Sequence, residues 1–236
     1  MKKLILPSVF ALAGLIILIS LGTWQLQRHV WKKGLLQQVS EGIKAEAIDY
    51  ASWKDRISSN DIQEFIKVRF SGILKHEDTV YSYSIRQGRM GLQVFTPVIL
   101  SDGGSILVNR GFILKEQRKP GNFSDLKDVK NIEGFIRRPE TKSFFTPEPS
   151  LQKRVWFSID PKSMRKVINV SGLEDSHYIE LFASGVQKKW PIVRNPEDYV
   201  KSIPNKHFEY ALTWYGLAFA LICVFIAFSW STIRRS

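Results

Sequence analysis

Leu4–Gln27 reads LILPSVFALAGLIILISLGTWQLQ, and Tyr210–Ile233 reads YALTWYGLAFALICVFIAFSWSTI; neither stretch contains a charged residue. Each has 24 residues, which corresponds to about 36 Å of α-helix at 1.5 Å per residue. That length is enough to cross a hydrocarbon core of about 30 Å. All 22 acidic residues lie between the two stretches, from Glu41 to Glu209. The sequence therefore predicts two transmembrane helices with one polar domain between them.

The predicted order along the chain has five parts. They are a cytoplasmic tail (1–3), a transmembrane helix (4–27), an extracytoplasmic domain (28–209), a second transmembrane helix (210–233) and a cytoplasmic tail (234–236). Basic tails favour termini on the cytoplasmic side, and a long domain crosses largely regardless of its charge. The short tails also leave no room for a signalling output domain, which argues against a two-span sensor.

Two of these predictions have an alternative: the orientation of the protein in the membrane, and the nature of the first apolar stretch as an anchor. Arg28, Lys32 and Lys33 directly follow the first stretch and oppose the orientation that the tails favour. Ser20–Gly22 resembles a signal-peptidase cleavage site. The apolar stretch is longer than a usual signal core and continues into Trp24, an interfacial residue, so we expect an uncleaved anchor.

The charge and the cysteine content restrict the function. A formal charge of +12 fits nucleic acid, anionic lipid or an acidic partner. Membrane anchoring makes nucleic acid the least favoured of the three and leaves the lipid bilayer and an acidic partner open. The single cysteine, Cys223, lies in the second apolar stretch, which excludes an intramolecular disulfide and a CxxC redox site.

In the polar domain, the apolar residues first follow a helical pattern and then alternate with polar residues at a period of two. Apolar residues from Val30 to Ala47 follow a 3.6-residue period, so the first helix is predicted to continue into the domain. Predicted strands cover 66–74, 79–86, 92–100, 105–114, 131–137, 155–159 and 178–183. Ser101–Gly104 predicts a hairpin turn. Asp160–Pro161 predicts the start of a short helix that runs through Ile168.

These patterns predict an α+β membrane protein. Its terminal transmembrane helices flank a mainly antiparallel β domain, a sheet or a barrel, with few helices. No metal-binding motif and no Ser/His/Asp set stands out, so we expect no enzyme, although a hydrolase assembled from unmarked positions stays open.

Two histidines lie at equivalent positions beside the apolar stretches. His29 follows the first stretch and His207 precedes the second, so an antiparallel hairpin would place both at one membrane depth. Neutral imidazole can bind haem iron, and Arg or Lys can pair with propionates. Aromatic side chains nearby could pack on the macrocycle. The alternative is an aromatic belt with interfacial cations, which serves anchoring alone.

Four motifs carry a resemblance to a known family. They are Gly22-Thr23-Trp24-Gln25-x-x-Arg28-x-x-Trp31-Lys32, Val108-Asn109-Arg110-Gly111, Trp156-Phe157 with Asp160 and Met164, and Asn205-x-His207-x-x-Tyr210-x-x-Thr213-Trp214-Tyr215-Gly216-Leu217. Their order and spacing resemble the Surfeit locus protein 1 family over nearly the whole chain. One departure is Phe112, with Ile113 and Leu114 after it, where the family commonly has Trp and then Pro.

The resemblance implies an assembly factor, or chaperone, for cytochrome c oxidase in respiratory-chain biogenesis. It implies transient binding of haem a and its insertion into subunit I, with haem a synthase as a further partner. The implied location is a bacterial plasma (inner) membrane with the domain in the periplasm. The bacterial source is expected because Met1–Lys3 directly precede the first apolar stretch, without a presequence.

The resemblance also suggests roles for individual residues. His207 would bind the iron, Arg28 would pair with a propionate, with Lys32 as a second choice, and Gln25 belongs to the same candidate site. The residues expected to line the macrocycle are Trp24, Tyr210 and Trp214. His29 is a secondary candidate for a second iron ligand, although it is not part of the family's signature. Arg110 is a further secondary candidate, for which structural pairing is the alternative. The alternative function is a scaffold that stabilises an assembly intermediate of subunit I without binding haem.

Overall fold

The computed structural model describes residues 2–56, 63–118, 128–182, 191–193, 200 and 204–234. The chain forms two compact units, Met1–Gln38 with Lys201–Ser236, and Val39–Val200. We call the first the helix pair and the second the strand unit. The described helices are α1 (Lys2–Lys44), α2 (Tyr50–Arg56), α3 (Pro161–Met164) and α4 (His207–Arg234). The strands are β1 (Ile48–Asp49), β2 (Lys67–Leu74), β3 (Val80–Arg86), β4 (Arg89–Leu100), β5 (Ser105–Leu114), β6 (Asp128–Arg137), β7 (Val155–Trp156) and β8 (Leu173–Leu181).

Helices α1 and α4 contain the two apolar stretches. Their most apolar windows have mean hydropathies of 2.7 and 2.2, and both helices are long enough to cross a membrane. Most of their large apolar side chains are exposed, as expected for surfaces that face lipid rather than a protein core. Helix α1 continues beyond Gln27 to Lys44, which confirms the predicted extension.

The strand unit contains one eight-stranded sheet in the order β1-β2-β6-β8-β5-β4-β3-β7. Strand β2 also pairs with β4, so β2, β6, β8, β5 and β4 close on themselves as a small barrel. Most pairs are antiparallel, which agrees with the predicted fold class. Strands β5 and β8 are parallel, because β6 runs in the opposite direction between them along the chain and returns it to the end at which β5 begins.

Local sequence signals explain several of these boundaries. Leu100 N donates to Gly104 O at 2.8 Å and closes the predicted hairpin, in which Gly103 has a φ of 81°. Asp160 caps α3, because its Oδ1 accepts a hydrogen bond from Ser163 N at 3.1 Å. A 3₁₀ turn over Arg165–Val167 completes the predicted short helix.

Some predicted boundaries differ from the structure. Strand β7 ends at Trp156, three residues before the predicted end, and Trp156 Nε1 instead donates to Ser163 Oγ at 3.0 Å. Strand β8 begins at Leu173, earlier than predicted, and the predicted last residue, Ala183, lies outside the described residues. Helix α2 and strand β1 were not predicted, because each is too short to show a hydrophobic period.

Candidate functional site

The helix pair is held together where Gly22 meets Tyr215. A Cβ atom at Gly22 would lie 2.8 Å from Tyr215 Cε1, so only glycine allows the aromatic ring to pack this closely. The next residue, Thr23, shares a hydrogen bond of 3.1 Å with the Tyr215 hydroxyl. Further along the pair, a Cβ at Gly14 would lie 3.3 Å from Leu221 Cδ2. Small residues and an interhelical hydrogen bond therefore fix how α1 lies against α4.

The imidazole of His207 is held by Gln25. His207 is the first residue of α4, and its Nδ1 lies 2.7 Å from Gln25 Oε1 on α1. An amide oxygen only accepts hydrogen bonds, so Nδ1 of His207 carries the hydrogen. In the neutral ring, Nε2 then has the lone pair, and it has no hydrogen-bond partner within the described part of the chain. In this tautomer the lone pair of Nε2 is available to a hydrogen-bond donor or to a metal ion.

A second contact, between α1 and the chain just before α4, lies at the same end of the helix pair, which we call the His207 end. Asn205 Nδ2 donates to the backbone oxygen of His29 at 3.4 Å. The ring of His29 lies 5.7 Å from that of Phe208, centroid to centroid. Both predicted histidines therefore do lie at one end of the pair. Nδ1 of His29 and Oδ1 of Asn205 are buried, and no described residue forms a hydrogen bond with either atom.

Cations surround His207. Lys32, Arg28 and His29 lie close enough for their charges to act on the His207 ring. The Arg28 guanidinium lies over the Trp31 ring, 3.9 Å from its centroid, and is exposed. Among the described residues no carboxylate pairs with Arg28 or Lys32, so both can meet an incoming anion.

The three aromatic residues predicted to line a macrocycle are not in contact with one another. Trp24 and Tyr210 are exposed and Trp214 is half-buried, and no ring contact joins them within the described segments. The spacing of His207, Tyr210 and Trp214 still places them along one side of α4. The aromatic surface is open rather than a formed pocket.

The residues of the His207 end fit a haem better than a free metal ion. No group of three or more His, Cys, Asp or Glu side chains that could hold a metal ion occurs among the described residues. A haem iron already has four porphyrin nitrogens, so one oriented imidazole is enough to anchor it. The free cations Arg28 and Lys32 match the two propionates of such a group.

The strand unit contains a separate buried cluster of titratable side chains. Tyr50 OH lies 2.9 Å from His177 Nε2, and His177 Nδ1 lies 3.0 Å from Ser176 Oγ, which donates to Glu174 Oε1 at 2.7 Å. Burial lowers the pKa of His177 to about 4, although Glu174 opposes this shift. The pKa of Tyr50 is raised by burial and then by the Glu174 charge. These hydrogen bonds connect α2, which carries Tyr50, to β8, which carries His177.

The predicted candidate Arg110 also lies in the strand unit. Its side chain is buried, and Nη1 donates to His76 Nδ1 at 3.1 Å. The neighbouring Asn109 Nδ2 donates to Gln93 Oε1 at 2.8 Å, and Asn109 Oδ1 accepts from Gly111 N. These contacts connect β5 to β4 and to the 3₁₀ turn His76–Asp78 before β3. The central motif is therefore explained by packing of the strand unit.

Sequence reasoning missed two features of the His207 end. Phe208 packs beside His29, and Asn205 bridges to the backbone of α1. Asn205 was visible as part of the last motif, two residues before His207. Phe208 had no signal other than its position next to a histidine at the start of a transmembrane helix.

Comparison with known proteins reveals similarity over most of the chain. A sequence model of the SURF1 family matches residues 12–219. Surfeit locus protein 1 of Gallus gallus is 27% identical over 229 residues, which cover 89% of this chain and 69% of that protein. A SURF1-like protein of Rickettsia bellii is 27% identical, with 93% of this chain and 89% of that protein covered. Surfeit locus protein 1 of Mus musculus is 28% identical, with 85% and 68% covered.

Proposed function

This chain belongs to the SURF1 family of cytochrome oxidase assembly factors, and from that premise we propose that it binds haem a at the His207 end of its helix pair. It would hold the haem transiently and help to place it in subunit I of the oxidase. Binding and transfer need no catalytic step, so the protein would act as a chaperone for the cofactor.

The contact between His207 and Gln25 is the observation that carries this proposal. The Gln25 amide oxygen fixes the hydrogen on Nδ1 of His207 and leaves the Nε2 lone pair for iron. Metal-binding histidines commonly donate their other N–H to such an acceptor, which orients the ring and increases its basicity. A histidine that served only as an interfacial anchor would not need this orientation.

The other residues of the His207 end would position the macrocycle. Arg28 and Lys32 would pair with the propionates, since both are cations without a carboxylate partner among the described residues. Trp24, Tyr210 and Trp214 would pack on the apolar faces of the ring. An open aromatic surface suits transient binding, because a fully enclosed haem would be slow to leave. Haem a would supply the redox-active iron that the finished oxidase requires.

We also propose the cellular setting. The chain would lie in a bacterial plasma membrane with both ends cytoplasmic and the strand unit in the periplasm. Its partners would be subunit I of the oxidase and haem a synthase, with the bilayer around α1 and α4. The bacterial relatives and the two apolar helices support this setting.

A scaffold without haem is the second candidate, and the helix packing favours it. Gly22, Thr23 and Tyr215 all belong to the terminal motifs, and all three are used in joining α1 to α4. A rigid helix pair could bind an assembly intermediate of subunit I directly. In that case His207 and Gln25 would contribute only one more interhelical hydrogen bond.

Purification of the full chain from cells that make haem a distinguishes the two candidates. The haem proposal predicts visible haem absorbance in the wild type and its loss in His207→Ala, with the strand unit still folded by circular dichroism. A wild-type protein without haem that still co-purifies with subunit I would favour the scaffold. A His207→Ala protein with wild-type haem stoichiometry would refute His207 as the ligand.

A further inference from the structure

Two buried polar atoms at the His207 end lack hydrogen-bond partners among the described residues. They are Nδ1 of His29 and Oδ1 of Asn205. The two residues are neighbours, because Asn205 Nδ2 donates to the backbone oxygen of His29 at 3.4 Å. Buried polar atoms are nearly always paired in folded proteins, and an unpaired one is unfavourable. Two such atoms, one on α1 and one just before α4, lie beside the proposed iron ligand and point to a polar group of a ligand.

The chemistry of the two atoms restricts that group. An amide oxygen such as Asn205 Oδ1 can only accept, so the group must donate a hydrogen. The Nδ1 atom of His29 can donate or accept, depending on its tautomer. An ionised carboxylate has no hydrogen to donate, which excludes a propionate as the partner of Asn205. A hydroxyl fits both atoms, because it donates one hydrogen bond and also accepts.

We infer, resting on the proposed function, that Asn205 and His29 recognise the hydroxyl on the long isoprenoid side chain of haem a. They would be specificity-determining residues. Haem b has a vinyl group at the corresponding position and cannot pair with either atom. The ring of Phe208, in contact with His29, offers an apolar surface beside the hydroxyl for the rest of that side chain. The site would thus select a hydroxyl-bearing haem over common iron protoporphyrin.

Selection of this kind has a physical basis. A site with buried polar groups rejects a ligand that lacks the matching hydrogen-bonding group, because its own groups are then left unpaired. Apolar contacts with an isoprenoid chain alone do not distinguish a hydroxyl from a hydrogen nearly as well. The role of Asn205 and His29 is therefore separable from the role of His207, which binds the iron of either haem.

The test compares haem o, which has the hydroxyl and the isoprenoid chain, with haem b. Both are titrated into the purified full chain in detergent, and the ratio of the two dissociation constants is measured by absorbance. We expect the preference for haem o to fall about tenfold in Asn205→Leu and in His29→Phe, which corresponds to about 1.4 kcal/mol. His29→Phe keeps a ring against Phe208. Asn205→Asp keeps an oxygen acceptor but loses the Nδ2 bond to the backbone of His29, so it should keep more of the preference than Asn205→Leu does.

The ratio of the dissociation constants for haem o and haem b distinguishes the possible outcomes of this titration. The affinity for haem b should stay constant in these variants, which would show that the site is intact. If one variant loses haem b binding, the ratio of the two dissociation constants in the other variant tests the inference. An unchanged ratio in both variants, with both haems bound, would mean that only solvent pairs with these atoms, and it would overturn this inference alone. Failure of the wild type to bind either haem would overturn the proposed function and this inference with it.

Discussion

Replacement of Gln25 by leucine tests how the structure prepares His207 for iron. Leucine has nearly the volume of glutamine but cannot accept the Nδ1 hydrogen of His207, so the bond of 2.7 Å is lost. A neutral hydrogen bond contributes about 0.5–1.5 kcal/mol net. Loss of the residue that orients a metal-binding histidine typically reduces metal affinity about 10–100-fold. We therefore expect Gln25→Leu to bind haem about tenfold more weakly than the wild type.

The assay is an absorbance titration of haem into the purified full chain in detergent. Gln25→Glu serves as the matched control, because its carboxylate also accepts the hydrogen of Nδ1 and should keep binding at the wild-type level or above it. A Gln25→Leu affinity equal to that of the wild type would refute the orienting role of Gln25. Equal losses in Gln25→Leu and Gln25→Glu would show that side-chain shape matters here and hydrogen bonding does not.

Three further predictions concern stability and are checked by thermal unfolding in detergent. Gly22→Ala should destabilise the helix pair by about 1–3 kcal/mol through overpacking against Tyr215. Gly216→Ala is the control and should not destabilise it, because a Cβ added there meets nothing within 4 Å. Equal effects of the two substitutions would contradict the packing argument. Asp160→Ala should lower the free energy of unfolding by about 1 kcal/mol, because it removes the cap of α3. Asp160→Asn keeps the acceptor and should lower it less. Equal losses in the two variants would exclude a capping role for Asp160. His177 has a pKa lowered to about 4 in the fold, so between pH 7 and 5 the unfolded chain binds a proton that the folded protein does not. The free energy of unfolding should therefore fall by about 2 kcal/mol from pH 7 to pH 5. His177→Gln should reduce this pH dependence. A pH dependence unchanged in His177→Gln would contradict the buried, neutral state of His177.

The sequence was most informative where a pattern is long or repeated. The apolar stretches predicted α1 and α4 because a helix of transmembrane length needs only composition to be recognised. Alternation predicted most strands, and Ser101–Gly104 predicted its hairpin because few residues adopt that turn. The parallel pairing of β5 with β8 was not predictable, since alternation along a strand does not indicate the direction of its neighbour.

The site was only partly predictable for a related reason. Residue types and motif spacing brought His207, Gln25 and Arg28 to attention, and the helix pair does join His207 to Gln25. The tautomer of His207 and the unpaired atoms of His29 and Asn205 depend on side-chain directions where α1 meets the start of α4. The contact of Arg28 with Trp31 depends on the rotamers of two side chains on α1. Such directions follow from packing, for example of Gly22 against Tyr215, and a single sequence does not contain them.

Chemical rescue of His207→Gly tests the central claim, binding of haem iron by His207, most directly. Glycine removes the imidazole and leaves space for free imidazole to take its place at the iron. We predict that His207→Gly produced with haem a lacks the haem absorbance of the wild type and regains it when imidazole is added. A His207→Gly protein that binds haem at the wild-type level without imidazole would contradict the claim.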